Sequence, residues 1–249
     1  MATAQGSPAS IGASVIGAEV ARFDKLAAQW WDPDGPMRAL HAMNPLRVGW
    51  IDRHVRAAHP DGTRLLDIGC GAGLASEALA RLGHSVLGLD AAPEPVEAAR
   101  AHAAGEDLPL DYRAGTAEAL TAEGERFPVV TALEVIEHVR DPAAFLRLLS
   151  GLLEPGGLLF VSTLNRTARS LAVAKLGAEY LLRLLPVGTH DWRRFVTPAE
   201  LDAAARRAGL RLDASAGMSF DPIGRKWIES RDLGVNYIAM LRKDPQRRA

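Results

Sequence analysis

A glycine-rich segment that follows a short apolar run constrains the fold more than any other part of the chain. The run Leu65–Ile68 leads into Gly69, Gly71 and Gly73, and an acid, Asp90, follows one helix and one strand later. Glycines let a backbone approach a ligand closely because they carry no Cβ. An acid at the end of the next strand can accept hydrogen bonds from ribose hydroxyls. The segment therefore predicts a nucleoside-binding turn in an α/β sheet.

The spacing of the glycines argues against two common nucleotide sites. In the dinucleotide motif G-x-G-x-x-G, the third glycine would fall at Leu74 or at Ser76, depending on which glycine starts the motif. The Gly-Lys-Ser/Thr that ends a phosphate-binding loop does not follow either. Asp67 precedes the first glycine, where its carboxylate would repel a phosphate but suit a cationic ligand. S-adenosylmethionine fits this pattern, and a tight turn that binds nothing is the alternative.

Short apolar strands alternate with helices along the chain. Strands are predicted near Arg64–Ile68, Ser85–Leu89, Leu110–Arg113, Phe127–Leu133, Leu158–Thr163, Leu210–Ala214 and Asn236–Leu241. Helices are predicted near Val15–Trp31, Leu46–Ala58, Leu74–Leu82, Pro93–Ala103, Pro142–Leu153 and, after the capping box that starts at Thr197, up to Gly209. This alternation predicts a parallel sheet covered by helices on both faces.

Length and composition predict one globular domain. Of the 249 residues, 48% are hydrophobic, and we expect residues 1–14 to be a flexible leader and residues 15–249 to form a single domain. Within it, residues 15–60 are predicted to form a helical lid, and residues 163–197 an apolar and basic insertion. A net charge of −1 offers no electrostatic case for binding nucleic acid. The single Cys70 favours a reducing compartment, a cytoplasm of the bacterial type.

Two polar clusters and one arginine are candidates for the site. Glu134, Glu137 and His138 follow the fourth strand, and in a helix they would share a face able to hold Mg²⁺ or Zn²⁺. A turn that lines the cofactor pocket without metal is the alternative. His190 lies in a predicted loop and is a candidate base, although a lone histidine is more often structural. Arg47 offers the bidentate fork that a ligand carboxylate needs.

Several of these segments together resemble the ubiquinone-biosynthesis O-methyltransferases of the class I S-adenosylmethionine-dependent superfamily. The resemblance runs from about Phe23 to Lys243. It is carried by Trp30–Asp32, Asn44–Arg47, Leu66–Gly71, Gly88–Asp90, Glu137–Val139, Pro155–Gly157, Ser162–Arg166, Gly177–Tyr180, Gly188–Asp191 and Asn236–Tyr237. The glycine motif alone indicates only a methyltransferase, whereas the three segments that begin at Ser162, Gly177 and Gly188 are more specific.

The resemblance implies a fold and a set of contacts. The fold would be Rossmann-like, with a mostly parallel seven-stranded sheet, helices on both faces and an antiparallel edge region. Five residues would bind S-adenosylmethionine: Arg47 at the methionine carboxylate, Gly69 and Gly71 in the glycine loop, Asp90 at the ribose, and Leu133 through its backbone. Glu134, Glu137 and His138 match positions that hold a divalent metal in relatives.

The resemblance also implies an apolar substrate, a polyprenyl phenol or quinol whose phenolic hydroxyl is methylated. The apolar residues of the insertion and its flanking arginines suit a helix lying at an anionic membrane surface, so we expect peripheral contact at the inner face of the membrane. A helix packed inside the domain or a dimer is the alternative. Other proteins of the ubiquinone pathway are candidate partners. The competing function is a class I methyltransferase acting on a soluble small molecule.

Overall fold

The computed structural model describes residues 12–172, 191–221, 223–224 and 226–245. Eight strands of these ranges form one sheet, in the order β3-β2-β1-β4-β5-β8-β6-β7. The strands are β1 Arg64–Ile68, β2 Ser85–Asp90, β3 Leu110–Ala114, β4 Phe127–Leu133, β5 Leu153–Leu164, β6 Leu210–Asp221, β7 Lys226–Ser230 and β8 Asn236–Lys243. The strands β1 to β5 pair in parallel, while β8 is antiparallel to both β5 and β6, and β7 is antiparallel to β6. The predicted fold class is confirmed, with an eighth strand, β7, added at the antiparallel edge.

Helices connect the parallel strands and precede the sheet. They are α1 Gly17–Asp24, α2 Arg38–Ala58, α3 Leu74–Arg81, α4 Pro93–Ala103, α5 Ala117–Ala122, α6 Pro142–Leu152, α7 Ala168–Leu171 and α8 Pro198–Arg207. Consecutive side chains of a strand face opposite sides of a sheet. Leu65 therefore packs with the buried residues of α2 and α3, while Leu66 packs with those of α5, α6 and α8. None of the described helices combines the length and the apolar character needed to cross a membrane.

The N-terminal helices differ from their predicted bounds. The predicted helix Val15–Trp31 is wrong as one element, because α1 ends at Asp24 and a 3₁₀ turn follows at Ala27–Gln29. The second helix begins at Arg38 rather than at Leu46 and has Pro45 inside it. Tertiary contacts outweigh the proline, since this first part of α2 is tied to the core through Asn44, whose Nδ2 donates to the carbonyl of Leu74 at 2.7 Å.

Strand register defines one edge of the sheet where the site lies. The parallel strands all end at this carboxyl edge, and the strand order reverses between β1 and β4, which is where open α/β sheets bind ligands. Gly217 pairs with Tyr237, which in turn pairs with Thr163 near the end of β5. The last three residues of β6 therefore extend past the end of β5 together with β7. At about 3.3 Å per residue, the β6–β7 hairpin overhangs the edge by about 10 Å.

Candidate cofactor and active site

The turn after β1 consists of glycines in the left-handed region of backbone conformation. The φ angles are 69° at Gly69, 54° at Gly71 and 90° at Gly73. The amides of Gly69 and Cys70 donate to the carbonyl of Leu89 at 2.7 and 3.2 Å, so the loop is bonded to the end of β2. Only glycine adopts such angles without steric cost, which explains why three glycines stand here.

Side chains of this chain fill the space around the glycine loop. A Cβ at Gly71 would lie 2.2 Å from Cζ2 of Trp30, and one at Gly73 would lie 2.0 Å from the hydroxyl of Tyr112. A Cβ at Gly69 would lie 2.4 Å from Cγ2 of Val135. The sequence predicted that the glycines make room for a ligand. In this structure they make room for the N-terminal segment, for β3 and for the turn after β4, and room for a ligand stays a prediction.

Asp90 ends β2 with its carboxylate directed at this loop. Its Oδ2 accepts from the amide of Gly71 and its Oδ1 accepts from the amide of Ala92, both at 2.8 Å. Burial raises the pKa of Asp90, and these two amides lower it. Each carboxylate oxygen has a second lone pair, so the group can still accept bonds from a vicinal diol. The glycine loop and Asp90, the residue predicted to bind the ribose, are therefore bonded to each other.

Arg47 is buried at the same edge, with 4% of its surface exposed. Its Nε donates to Oδ1 of Asn44 at 2.9 Å, which positions the guanidinium on α2. Burial lowers the pKa of Arg47, while the negative charges of Glu134 and Asp67 raise it. The guanidinium of Arg47 is suited to bind the carboxylate of a ligand. Because Asp67 and Glu134 lie nearby, a positive charge elsewhere on the same ligand would also be favoured.

Asp67 is satisfied by the protein. It is 2% exposed, and its oxygens accept from the hydroxyls of Ser76 and Thr131, both at 2.6 Å. Burial raises the pKa of Asp67, while these hydroxyls and the charge of Arg47 lower it. The carboxylate thus fastens α3 and β4 to β1. That its charge would repel a phosphate at the site stays a prediction.

The segment after β4 is a turn, which is one of the two arrangements that the sequence left open, and the helix that would place the three side chains on one face is not formed. Leu133 ends the strand, and Glu134 is the one described non-glycine residue with a positive φ, 57°. The reason lies in β5, since the Glu134 amide donates to the carbonyl of Ser162 at 3.0 Å and Glu134 Oε1 accepts from the Ser162 hydroxyl at 2.7 Å. Backbone strain of this kind is typical of functional sites.

Glu137 and His138 bind different partners. Oε2 of Glu137 accepts from the Thr163 hydroxyl at 2.9 Å, while its Oε1 is buried without a hydrogen-bond partner. Burial, with Glu134 nearby, raises the pKa of Glu137 to about 7. Nδ1 of His138 lies 3.1 Å from Oε2 of Glu19 on α1. Burial lowers the pKa of His138, but Glu19 and Glu137 raise it more.

The predicted metal ligands do not converge in this arrangement. Each of the three side chains has a different partner. Glu134 bonds to Ser162, Glu137 bonds to Thr163, and His138 lies beside Glu19. Among the described residues no three His, Cys, Asp or Glu side chains form a group that could hold a metal ion. We therefore derive no step through a metal, and the metal site stays a prediction.

The N-terminal segment covers the carboxyl edge. Nε1 of Trp31 donates to the carbonyl of Ala72 in the glycine loop at 2.9 Å, and the Trp31 ring stacks on His102 with centroids 3.4 Å apart. Phe23 on α1 meets His138 edge to face at 5.5 Å. These contacts place the N-terminal segment over the glycine loop and the turn after β4. The role of residues 15–60 as a lid stays a prediction.

The structure gathers most of the predicted site residues at one edge of the sheet. Arg47, Gly69, Gly71, Asp90, Leu133 and Glu134 all lie at the carboxyl ends of β1, β2 and β4 or on the helix beside them. His190 lies outside the described residues, and so do the segments 177–180 and 188–190 of the resemblance. Sequence reasoning missed Ser162, Thr163 and Glu19. The signal for the first two was a pair of hydroxyl residues at the end of an otherwise apolar strand.

Comparisons with known proteins agree on one family. Residues 40–215 match a family model described as a methyltransferase domain. The chain is 51% identical to the ubiquinone biosynthesis O-methyltransferase of Methylobacterium nodulans, covering 91% of this chain and 95% of that protein. It is 48% identical to the protein of the same name from Parvibaculum lavamentivorans, covering 92% of this chain and 94% of that protein. These matches show the family to which the chain belongs.

The solved structures extend the likeness to the fold. Magnesium protoporphyrin IX methyltransferase from Synechocystis PCC 6803, solved with bound S-adenosylmethionine, superposes with a TM-score of 0.62. The two chains are 17% identical, and the match covers 94% of this chain and all of the other. At this identity the likeness shows a shared fold, and it confirms the class I methyltransferase architecture.

Packing at the glycine loop can be tested with two matched substitutions. Gly71→Ala places a methyl group against Trp30, whereas Gly124→Ala, at a φ of 78°, meets nothing within 4 Å. Both pay for a left-handed backbone, about 1 kcal/mol, but only Gly71→Ala adds overpacking, about 2 kcal/mol more. Urea unfolding should show this difference, and it should shrink in a Trp30→Ala background. Equal losses for the two variants would contradict the packing described here.

Proposed function

We propose that this protein, which belongs to the family of ubiquinone biosynthesis O-methyltransferases, transfers a methyl group from S-adenosylmethionine to a phenolic hydroxyl of a polyprenylated ubiquinone precursor. The observation that carries the proposal is the pairing of Asp90 with the glycine loop at the switch point of the sheet, with Arg47 buried beside it. Family membership confirms the resemblance found in the sequence, the enzyme class and, at the level of the family, the methyl donor.

Two residues would hold the ends of S-adenosylmethionine. Asp90 would accept bonds from the ribose hydroxyls, and Arg47 would bind the methionine carboxylate. Leu133 would contribute its backbone at the end of β4, and Gly69 would lie under the methionine moiety. A cation with no phosphate suits a cleft in which Asp67, Asp90 and Glu134 supply negative charge.

The chemistry requires a phenolate and alignment. The sulfonium is already a good leaving group, so the protein has to align the oxygen with the methyl for in-line displacement, which can contribute up to about 7–11 kcal/mol. A phenol with a pKa near 10 is about 0.1% ionised at pH 7, and ionising it costs about 4 kcal/mol. A general base that accepts this proton removes most of that cost.

His190 is the proposed general base. Among the residues that the structure describes, the alternative base is His138. Its Nδ1 lies beside Glu19, and its ring packs against Phe23. These contacts fix His138 in a covering interaction and favour a structural role for it. His190 belongs to a Gly-Thr-His-Asp segment that precedes α8 by a few residues in the sequence.

The proposed substrate rests on the names of the relatives. Because this substrate would have an apolar tail, we also propose that the protein contacts a membrane. The relatives named above carry ubiquinone biosynthesis in their names. A polyprenyl chain partitions into a bilayer, so peripheral contact through the 163–197 insertion and association with other pathway proteins are part of the proposal. Arg166 and Arg169 at the start of this insertion pair with Glu200 and Asp232, so part of the charge that would meet an anionic surface is neutralised within the protein.

Labelled-methyl transfer tests the reaction and the acceptor together. With labelled S-adenosylmethionine, the enzyme should methylate a polyprenyl catechol and a polyprenyl hydroxyphenol. The soluble counterparts without a tail serve as the matched comparison. Preference for the soluble acceptors would point to the alternative function. A parallel reaction after metal depletion decides the metal question, since turnover that stays undiminished would rule out an essential ion.

The identity of the base can be tested by a pair of variants. We expect His190→Asn to lower kcat by roughly a hundredfold or more, as loss of a general base does, and to remove the corresponding step from the pH profile of kcat. His138→Asn should retain most of kcat, because the residue serves packing. The reverse ranking would assign the base to His138.

A further inference from the structure

Residues 12–37 form a strap that crosses the carboxyl edge of the sheet. Near its start, the amide of Ser14 donates to Oε1 of Glu118 on α5 at 2.8 Å. Further along, Oδ1 of Asp24 accepts from the amide of Glu94, at the start of α4, at 3.3 Å. Because α4 and α5 follow β2 and β3, the strap is bonded to the elements that begin where these two strands end.

Trp31 fastens the strap to the glycine loop. Its Nε1 donates to the carbonyl of Ala72 at 2.9 Å, which joins the strap to the turn after β1. The Trp31 ring lies parallel to the imidazole of His102 on α4, with centroids 3.4 Å apart. It also meets His41 of α2 edge to face, with centroids 6.0 Å apart. One side chain thus connects the strap with the glycine loop, α2 and α4.

A buried carboxylate orients His102. Glu77 on α3 is 2% exposed, and its Oε1 lies 2.8 Å from Nδ1 of His102. Because an ionised carboxylate only accepts hydrogen bonds, Nδ1 is the donor. Oε2 of Glu77 accepts from Nη2 of Arg81 at 3.3 Å. Burial of a carboxylate is costly unless it is bonded in this way, so Glu77 fixes the imidazole ring on which Trp31 stacks.

A ligand at the proposed cofactor site would lie beneath this strap. The amide of Gly71 is bonded to Asp90, the proposed ribose ligand, at 2.8 Å. Trp30 of the strap packs on Gly71, where an added Cβ would lie 2.2 Å from the Trp30 ring. A molecule held between the glycine loop and Asp90 therefore has to pass the strap when it enters or leaves. The side chain of His102 is 39% exposed, so its contact with Trp31 can open without unfolding of the core.

We propose that Trp31, His102 and Glu77 form a latch that holds the strap closed, and that release of Trp31 from His102 admits S-adenosylmethionine and lets the demethylated cofactor leave. The inference rests on the proposed function, because it takes S-adenosylmethionine to bind beneath the strap. His102 and Glu77 are positioning residues, since they act on the site only through Trp31. Entry and exit need the same opening, so a weaker latch raises the association and dissociation rate constants together and changes Kd little.

The test measures both rate constants for labelled S-adenosylmethionine by rapid filtration, with an unlabelled chase for dissociation and no acceptor present. His102→Gln retains a donor for Glu77 but removes the ring that stacks on Trp31. We expect it to raise both rate constants roughly fivefold to tenfold, the contribution of a stacked aromatic pair. Its Kd should stay near that of the wild type.

Two further variants serve as matched controls. His102→Phe keeps a ring on Trp31 while it loses the bond to Glu77, and it should retain both wild-type rate constants even where urea unfolding shows a loss of stability. His54→Gln makes the same change at a histidine that packs on Trp50 of α2, with centroids 4.0 Å apart, and should also leave both rate constants unchanged.

Other outcomes would overturn the inference. Unchanged rate constants in His102→Gln would do so. A raised Kd with an unchanged association rate constant would do so too, because His102 would then shape the site and not its opening. Hydrogen exchange of the strap amides separates this inference from the proposed function. A wild-type protein that binds no S-adenosylmethionine would contradict the function. Faster exchange of the strap in His102→Gln than in His102→Phe would still support the latch, and equal exchange would contradict it.

Discussion

The absence of side chains in the glycine loop is the constraint on which the rest of the structure depends. Each glycine lies against a different element: Gly69 against the turn after β4, Gly71 against the N-terminal segment, and Gly73 against β3. Because real Cβ atoms essentially never approach other atoms this closely, the loop brings these elements together only as glycine. The close approach fixes where the carboxyl ends of β1, β2 and β4 meet, which is where we propose that the cofactor binds.

Buried charge is balanced at this meeting point. Asp67 is held by two hydroxyls, Asp90 by two backbone amides, and Arg47 lies within the field of Asp67 and Glu134. Charges removed from water are costly unless they are bonded or paired. A cationic cofactor with a carboxylate complements such a set, since its positive groups meet the acids and its carboxylate meets the arginine.

The sequence predicted the central sheet well because hydrophobic patterning is local. The strands β1 and β4 have their predicted bounds, and Asp90 stands at the end of β2 as expected. The sequence left the segment after β4 open between a helix and a turn, because the bond from the Ser162 hydroxyl on β5 to Glu134, which favours the turn, is not a local signal. The helix α2 begins eight residues before its predicted start because its first part is bonded to α3. The sequence around Pro45 contains no local signal of that contact. The strand β7 was missed because only its pairing with the extended end of β6 makes it a strand.

The central claim is that the loop and Asp90 form the S-adenosylmethionine site, and titration calorimetry tests it most directly. Asp90→Asn keeps the size of the side chain while removing its charge, and Asp111→Asn makes the same change at an exposed acid on the neighbouring strand. We predict that Asp90→Asn weakens S-adenosylmethionine binding by roughly tenfold to a hundredfold, the worth of hydrogen bonds to a charged group. Asp111→Asn should bind as the wild type does. Unchanged affinity in Asp90→Asn would contradict the assignment of this edge as the cofactor site.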